Sequence, residues 1–120
     1  MSADRLDSLT SWRADWAGLR VAVLGLGVTG FAVADTLAEL GATVLVIAGR
    51  PDEERERILE VIGVEMVVEP DAAAVPSELE QFAPELVVVS PGYHPDHRLV
   101  RWAEDRGTPI WGDIELAWRL

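Results

Sequence analysis

The sequence predicts an α/β fold, a Rossmann-like doubly wound parallel sheet of about five strands, and two kinds of observation predict it. Short apolar runs alternate with helical patterns along the chain, which is the rhythm of βαβ units. The first of these runs enters three glycines spaced G-x-G-x-x-G, Val21-Ala-Val-Leu-Gly25-Leu-Gly27-Val-Thr29-Gly30, and a helical pattern follows at once. In such a turn Gly25 permits the sharp bend and Gly27 the approach of backbone to a pyrophosphate, while Gly30 lets helix and strand lie close. The amides that open the helix then face an anion with no intrahelical partner of their own.

The elements follow in order. Residues 1–19 are a lead-in, whose stretch 5–17 is amphipathic, with Leu6, Leu9, Trp12 and Trp16 at helical steps. The two tryptophans are expected to cover the edge of the domain rather than to stack on a ligand. Residues 20–120 form the domain proper. Val21–Leu24 is a buried strand, and Thr29–Leu40 a helix that Gly41 stops. Thr43–Ile47 is a β-branched and apolar strand, as parallel strands covered on both faces are. Pro51 suits the first turn of the next helix, and Asp52, Glu53 and Glu54 complement its dipole; Gly63 ends it.

Val64–Val68 is the third strand, and Ser77–Phe82 a short helix after a loop. Glu85–Ser90 is the fourth strand, closed by Ser90-Pro91-Gly92. His97–Arg106 is a helix stopped by Gly107, Pro109–Trp111 a short fifth strand, and Asp113 the cap of a last helix. The expected strand order is 3-2-1-4-5. Leu120 carries no stop signal behind it, so the chain is expected to be one domain of a longer protein.

Composition excludes several functions. The formal charge of −11 disfavours nucleic acid and anionic membranes as partners. Apolar residues make up 49% of the chain, yet no apolar run approaches the length of a membrane span. Cysteine is absent, so there is no disulfide and no thiolate chemistry, and the expected location is the cytoplasm. All ten basic residues are arginines. Without lysine the chain alone has no P-loop lysine, Schiff base or lysine general base.

Ligands of an open parallel sheet bind at the carboxyl ends of its strands, where the strand order reverses. Three segments should meet there. They are the glycine turn with Gly27, Val28, Thr29 and Gly30, the end of the second strand with Ala48, Gly49 and Arg50, and the turn Ser90, Pro91 and Gly92. An NAD site wants an acid where Ala48 stands, to hold the ribose 2′-hydroxyl. Arg50 leaves three readings open: partner of an NADP 2′-phosphate, wall of another nucleotide site, or solvated arginine. His94, Asp96 and His97 have a metal-like spacing, but no further ligands accompany them and they read as loop residues. The acidic helix from Asp52 to Glu60, with Arg55 and Arg57 interleaved, reads as a solvated face. Asp113 reads as an N-cap and Glu115 as a partner of Arg119.

Three segments together resemble the N-terminal domain of the Mur ligases: Gly25-Leu-Gly-Val-Thr-Gly30, Ser90-Pro-Gly92 and Gly107-Thr-Pro-Ile-Trp-Gly-Asp-Ile-Glu-Leu116. The last string is most similar to the branch that adds D-glutamate. The resemblance covers nearly all of residues 20–120 but only the first of the family's three domains. It implies that the diphosphate of UDP-N-acetylmuramoyl-L-alanine sits on Gly27–Gly30 and its uracil beside Ala48–Arg50, with Ser90–Gly92 alongside. Relatives often carry an acid in place of Ala48, so the uracil contact here must come from backbone groups or elsewhere. It further implies a cytoplasmic peptidoglycan-synthesis reaction in which ATP, with Mg2+, converts the substrate carboxylate to an acyl phosphate that the amine of D-glutamate attacks. ATP and D-glutamate would belong to the central and C-terminal domains, and the 120 residues alone would be inactive.

Overall fold

Residues 20–24 leave no polar side chain after Arg20, so the strand they form must be covered on both sides. The computed structural model describes residues 16–25, 28–70, 74–89 and 97–112. In it β1 (Arg20–Leu24) is the middle of a five-stranded sheet, flanked by β2 (Thr43–Ala48) and β4 (Leu86–Val89). Outside them lie β3 (Glu65–Val68) and β5 (Ile110–Gly112), giving the order β3-β2-β1-β4-β5. All four pairings are parallel. Fold class and strand order are thus as the sequence predicts.

The four helices are α1 (Val28–Glu39), α2 (Glu53–Val61), α3 (Ser77–Phe82) and α4 (Arg98–Asp105). Alternation along the strands divides the core between two faces. Val21, Val23, Val44, Val46, Leu86 and Val88 meet Ala34 and Leu37 of α1 and Leu59 of α2 on one face. Ala22, Leu24, Leu45, Ile47 and Val87 meet Leu79 of α3 and Leu99, Val100 and Ala103 of α4 on the other. Two helices per face is the doubly wound arrangement.

Two details differ from the expectation. Trp16 does more than cover an edge: it is 1% exposed, within the core on the α1 side. Its ring meets Trp111 of edge strand β5 edge-on, with centroids 6.5 Å apart. The amide of Gly18 donates to the Gly41 carbonyl at 3.0 Å and that of Thr43 to the Leu19 carbonyl at 2.8 Å, so the approach to β1 is held against the α1–β2 turn. Pro51 precedes α2 rather than opening it. Asp52 is the N-cap, its Oδ1 accepting from the Arg55 amide at 3.1 Å. A side-chain acceptor at that position satisfies an orphan amide, which a proline cannot do. Trp12 and the helix expected after Asp113 lie outside the described residues.

At the amino edge of the sheet, Arg20 and Glu85 clamp β1 to β4. The Glu85 amide donates to the Arg20 carbonyl at 2.8 Å, and the Arg20 amide to Glu85 Oε1 at 3.2 Å. The Arg20 Nε also donates to the carbonyl of Ala83, the left-handed residue that ends α3, at 3.0 Å.

Two stability outcomes follow. Trp16→Ala is expected to cost about 3–5 kcal/mol, the range for deleting a buried aromatic ring, read as a lower urea midpoint. Asp52→Ala is expected to cost about 1 kcal/mol by the same measurement, with Asp52→Asn restoring most of it because asparagine also caps.

Candidate functional site

The carboxyl ends of the strands come level at one edge of the sheet. Leu24 pairs with Ile47 on one side and Val89 on the other, and Val89 pairs with Gly112. Strand order reverses between β1 and β4, so the crevice expected of this topology opens above Leu24 and Val89. The glycine turn leaves from Leu24, the Gly49-Arg50 segment from Ala48, and the segment containing Ser90 from Val89. The described residues from which the three predicted segments leave, Leu24, Ala48 and Val89, thus lie at one edge.

Gly25 has φ +99°, a conformation L side chains rarely adopt, and its amide donates to the Ile47 carbonyl at 2.8 Å. The turn is thereby tied to β2 before α1 starts at Val28. Val28, Thr29 and Gly30 form the first turn of α1, where amides lack intrahelical acceptors and the dipole favours an anion. No acidic residue occupies that first turn. Gly30 is buried. Gly27, Ser90, Pro91 and Gly92 lie outside the described residues.

Ala48 is 2% exposed, so its side chain belongs to the core. Its carbonyl accepts from the Glu69 amide at 2.8 Å. Gly49 and Arg50 beyond it are exposed, and they are what β2 offers at the crevice. His97 acts as the N-cap of α4, its Nδ1 accepting from the Leu99 amide at 3.2 Å. That nitrogen is committed to the backbone, while His94 and Asp96 lie outside the described residues. Among the described residues no group of three His, Cys, Asp or Glu side chains is placed to hold a metal ion.

One feature was not legible beforehand. A groove of about 450 Å³ runs between α1 and α2, lined by Phe31, Asp52, Glu54, Arg55 and Ile58. Its size falls in the range of small-molecule sites. The start of the acidic helix, read as a solvated face, thus borders a cavity. The signal available was slight: Phe31 directly follows Gly30, and Asp52 stands three residues before Arg55.

Comparison with known proteins gives the chain a context. The Mur ligase MurD-like N-terminal domain, as a family, matches residues 19–112. A UDP-N-acetylmuramoylalanine--D-glutamate ligase of Leifsonia xyli is 64% identical over 119 residues, which are 99% of this chain and 23% of that protein. The enzyme of the same name from Tropheryma whipplei is 43% identical over 116 residues, 97% of this chain and 23% of its own length. The chain therefore spans about a quarter of these curated relatives. Among solved structures, UDP-N-acetylmuramate:L-alanyl-gamma-D-glutamyl-meso-diaminopimelate ligase from Neisseria meningitides aligns with a TM-score of 0.67 at 19% identity, covering 81% of this chain and 29% of that one. Shikimate dehydrogenase from Aquifex aeolicus aligns with a TM-score of 0.58 at 18% identity, covering 95% of this chain and 50% of that one. At such identities these two structures share the fold.

The positive φ of Gly25 sets a test of the turn. Gly25→Ala is expected to destabilise the domain by about 1–2 kcal/mol, the cost of a side chain in the left-handed region, and to weaken pyrophosphate binding. Denaturation and calorimetric titration check the two effects separately.

Proposed function

The chain belongs to the Mur ligases, as a MurD-like N-terminal domain, and from that premise we propose that it holds the UDP end of UDP-N-acetylmuramoyl-L-alanine while D-glutamate is added to the other end. One observation carries the proposal. The open amino end of α1 stands beside the β1/β4 reversal, at the level carboxyl edge of the sheet.

The chemistry asked of the domain is binding and orientation. Amides of Val28, Thr29 and Gly30, with Gly27 before them, donate to diphosphate oxygens; fixed dipoles suit this task in a chain of net charge −11. Salt screens that global charge beyond about 8 Å, so the amides in contact decide the affinity. Ala48, Gly49 and Arg50 are assigned to the border of the nucleoside, and Ser90, Pro91 and Gly92 to the wall beside the diphosphate. A domain that fixes one end of a substrate contributes to rate by lowering the entropic cost of meeting the reactive groups.

ATP and Mg2+ do not fit this chain. It has no lysine for a P-loop and, among the described residues, no acidic cluster suited to a cation. We assign their use, and the D-glutamate site, to the central and C-terminal domains of a longer ligase, consistent with the 23% share of the relatives that this chain spans. The domain is then residues 20–120 with a lead-in at 1–19, and it has no catalytic residue of its own. The substrate places the enzyme in the cytoplasm. No helix of the described residues is long and apolar enough to cross a membrane.

Exposed Arg50, with no acid at the end of β2, also suits the 2′-phosphate of NADP, which makes NADP the informative competitor. In titrations followed by amide NMR, UDP and UDP-N-acetylmuramoyl-L-alanine are expected to shift Gly27–Gly30 and Arg50, whereas NAD and NADP leave them in place. A preference for NADP would overturn the proposal.

A further inference from the structure

We propose that the outer side of α2, with the carboxyl-terminal half of α1 beside it, is a docking surface for a cationic amphipathic helix of another protein. The apolar residues of α2 form a wider stripe than the domain itself covers. At about 100° of turn per residue, Val61, Ile58, Ile62 and Leu59 span an arc of about 160°. Leu59 at one end of that arc is buried in the core, and Ile62 is half-buried. Ile58 is 45% exposed, and Val61 at the other end is 85% exposed. Val68, the third exposed large hydrophobic among the described residues, belongs to β3, the edge strand on which α2 packs. Beside the stripe lies a groove of about 410 Å³, lined by Asp35, Ala38 and Glu39 of α1 and by Ile62. It sits between the carboxyl-terminal ends of the two helices, toward the amino end of the sheet and away from the proposed nucleotide crevice.

Charge identifies the occupant. Asp35 and Glu39 stand four residues apart on α1, where like charges repel. Glu39 also lies in the last turn, where the helix dipole disfavours an acid. α2 repeats the arrangement with Glu60. Neither last turn holds a basic residue, and none of the three carboxylates has an ion pair among the described residues. Each acid therefore carries a local cost that a cation from outside offsets. Among the described residues no three acidic or histidine side chains are placed to hold a metal ion, so the cation is a partner's lysine or arginine. An apolar ridge flanked by such residues meets both features at once: the ridge covers Ile58 and Val61, and the cations approach Asp35, Glu39 and Glu60. A helix supplies that ridge, because the space between two packed helices takes the ridge of a third.

The source is a separate protein. The chain leaves the sheet through β5, four strand spacings or about 19 Å from β3. The remaining domains of the family follow this N-terminal domain in sequence from the β5 side, which leaves α2 and β3 open at the opposite edge.

The test uses the intact protein that carries this domain, with a lysine–leucine amphipathic peptide as probe and its glutamate–leucine counterpart as control. The lysine peptide is expected to bind and to shield Ile58 and Val61 from hydroxyl-radical labelling. Val61→Ser is expected to weaken that binding about tenfold, the effect of losing one buried apolar side chain. Asp35→Asn combined with Glu39→Gln is expected to weaken it about threefold, an effect that high salt removes, while raising the urea midpoint of the free protein. UDP affinity is expected to stay unchanged in both variants, so the surface stands or falls apart from the nucleotide site. Failure of the lysine peptide to bind overturns the proposal, as does equal binding of the glutamate peptide or an affinity that neither variant changes. If Ile58 and Val61 resist labelling before any peptide is added, the protein's own further domains cover the surface, and the proposal is overturned in that case too.

Discussion

Everything in this domain depends on the double-sided burial of β1. Val21 and Val23 lie in one core and Ala22 and Leu24 in the other, all at most 1% exposed. A strand so covered requires helices above and below, and parallel neighbours whose crossovers supply them. The chain winds one way from β1 through α1, β2, α2 and β3, then returns through α3 to β4 on the other side of β1. That return creates the reversal at which the crevice opens. The burial of four consecutive residues is the physical origin of the site.

The same strand runs into Gly25, which shapes the turn proposed to meet an anion. Gly25 leaves the sheet with a positive φ and still bonds to Ile47 of β2, so the start of α1 is registered to two strands at once. Rigid scaffolding behind a short turn presents amides at little cost in ordering. At the amino edge, the clamp of Arg20 on Glu85 and Ala83 holds the central pair in register, at the end of the sheet away from the proposed site.

Legibility followed the range of the interactions. Strand identities, strand order and the glycine turn were visible because each rests on local pattern: β-branched runs, glycine stops, and a motif between strand and helix. The capping role of Asp52 was half visible. An acid near a helix start was noted, yet whether Pro51 or Asp52 opens α2 depends on which backbone leaves the helix, and that is settled by the Arg55 amide meeting Asp52. Trp16 was read as a covering residue, and its burial against Trp111 joins positions remote in the chain. The groove was scarcely visible, since Phe31 and Ile58 belong to different helices.

By itself the sequence determined the class of fold, the order of the strands, the absence of lysine and thiol chemistry, and the turn that can meet an anion. Those follow from composition and short-range periodicity, which act within one element and its neighbours. Tertiary structure decided what lies beside that turn: a buried Ala48 that contributes only backbone, and a groove between two helices lined by charged and apolar side chains. Such features arise where elements distant in sequence are packed side by side, and no pattern within either element encodes the space left between them.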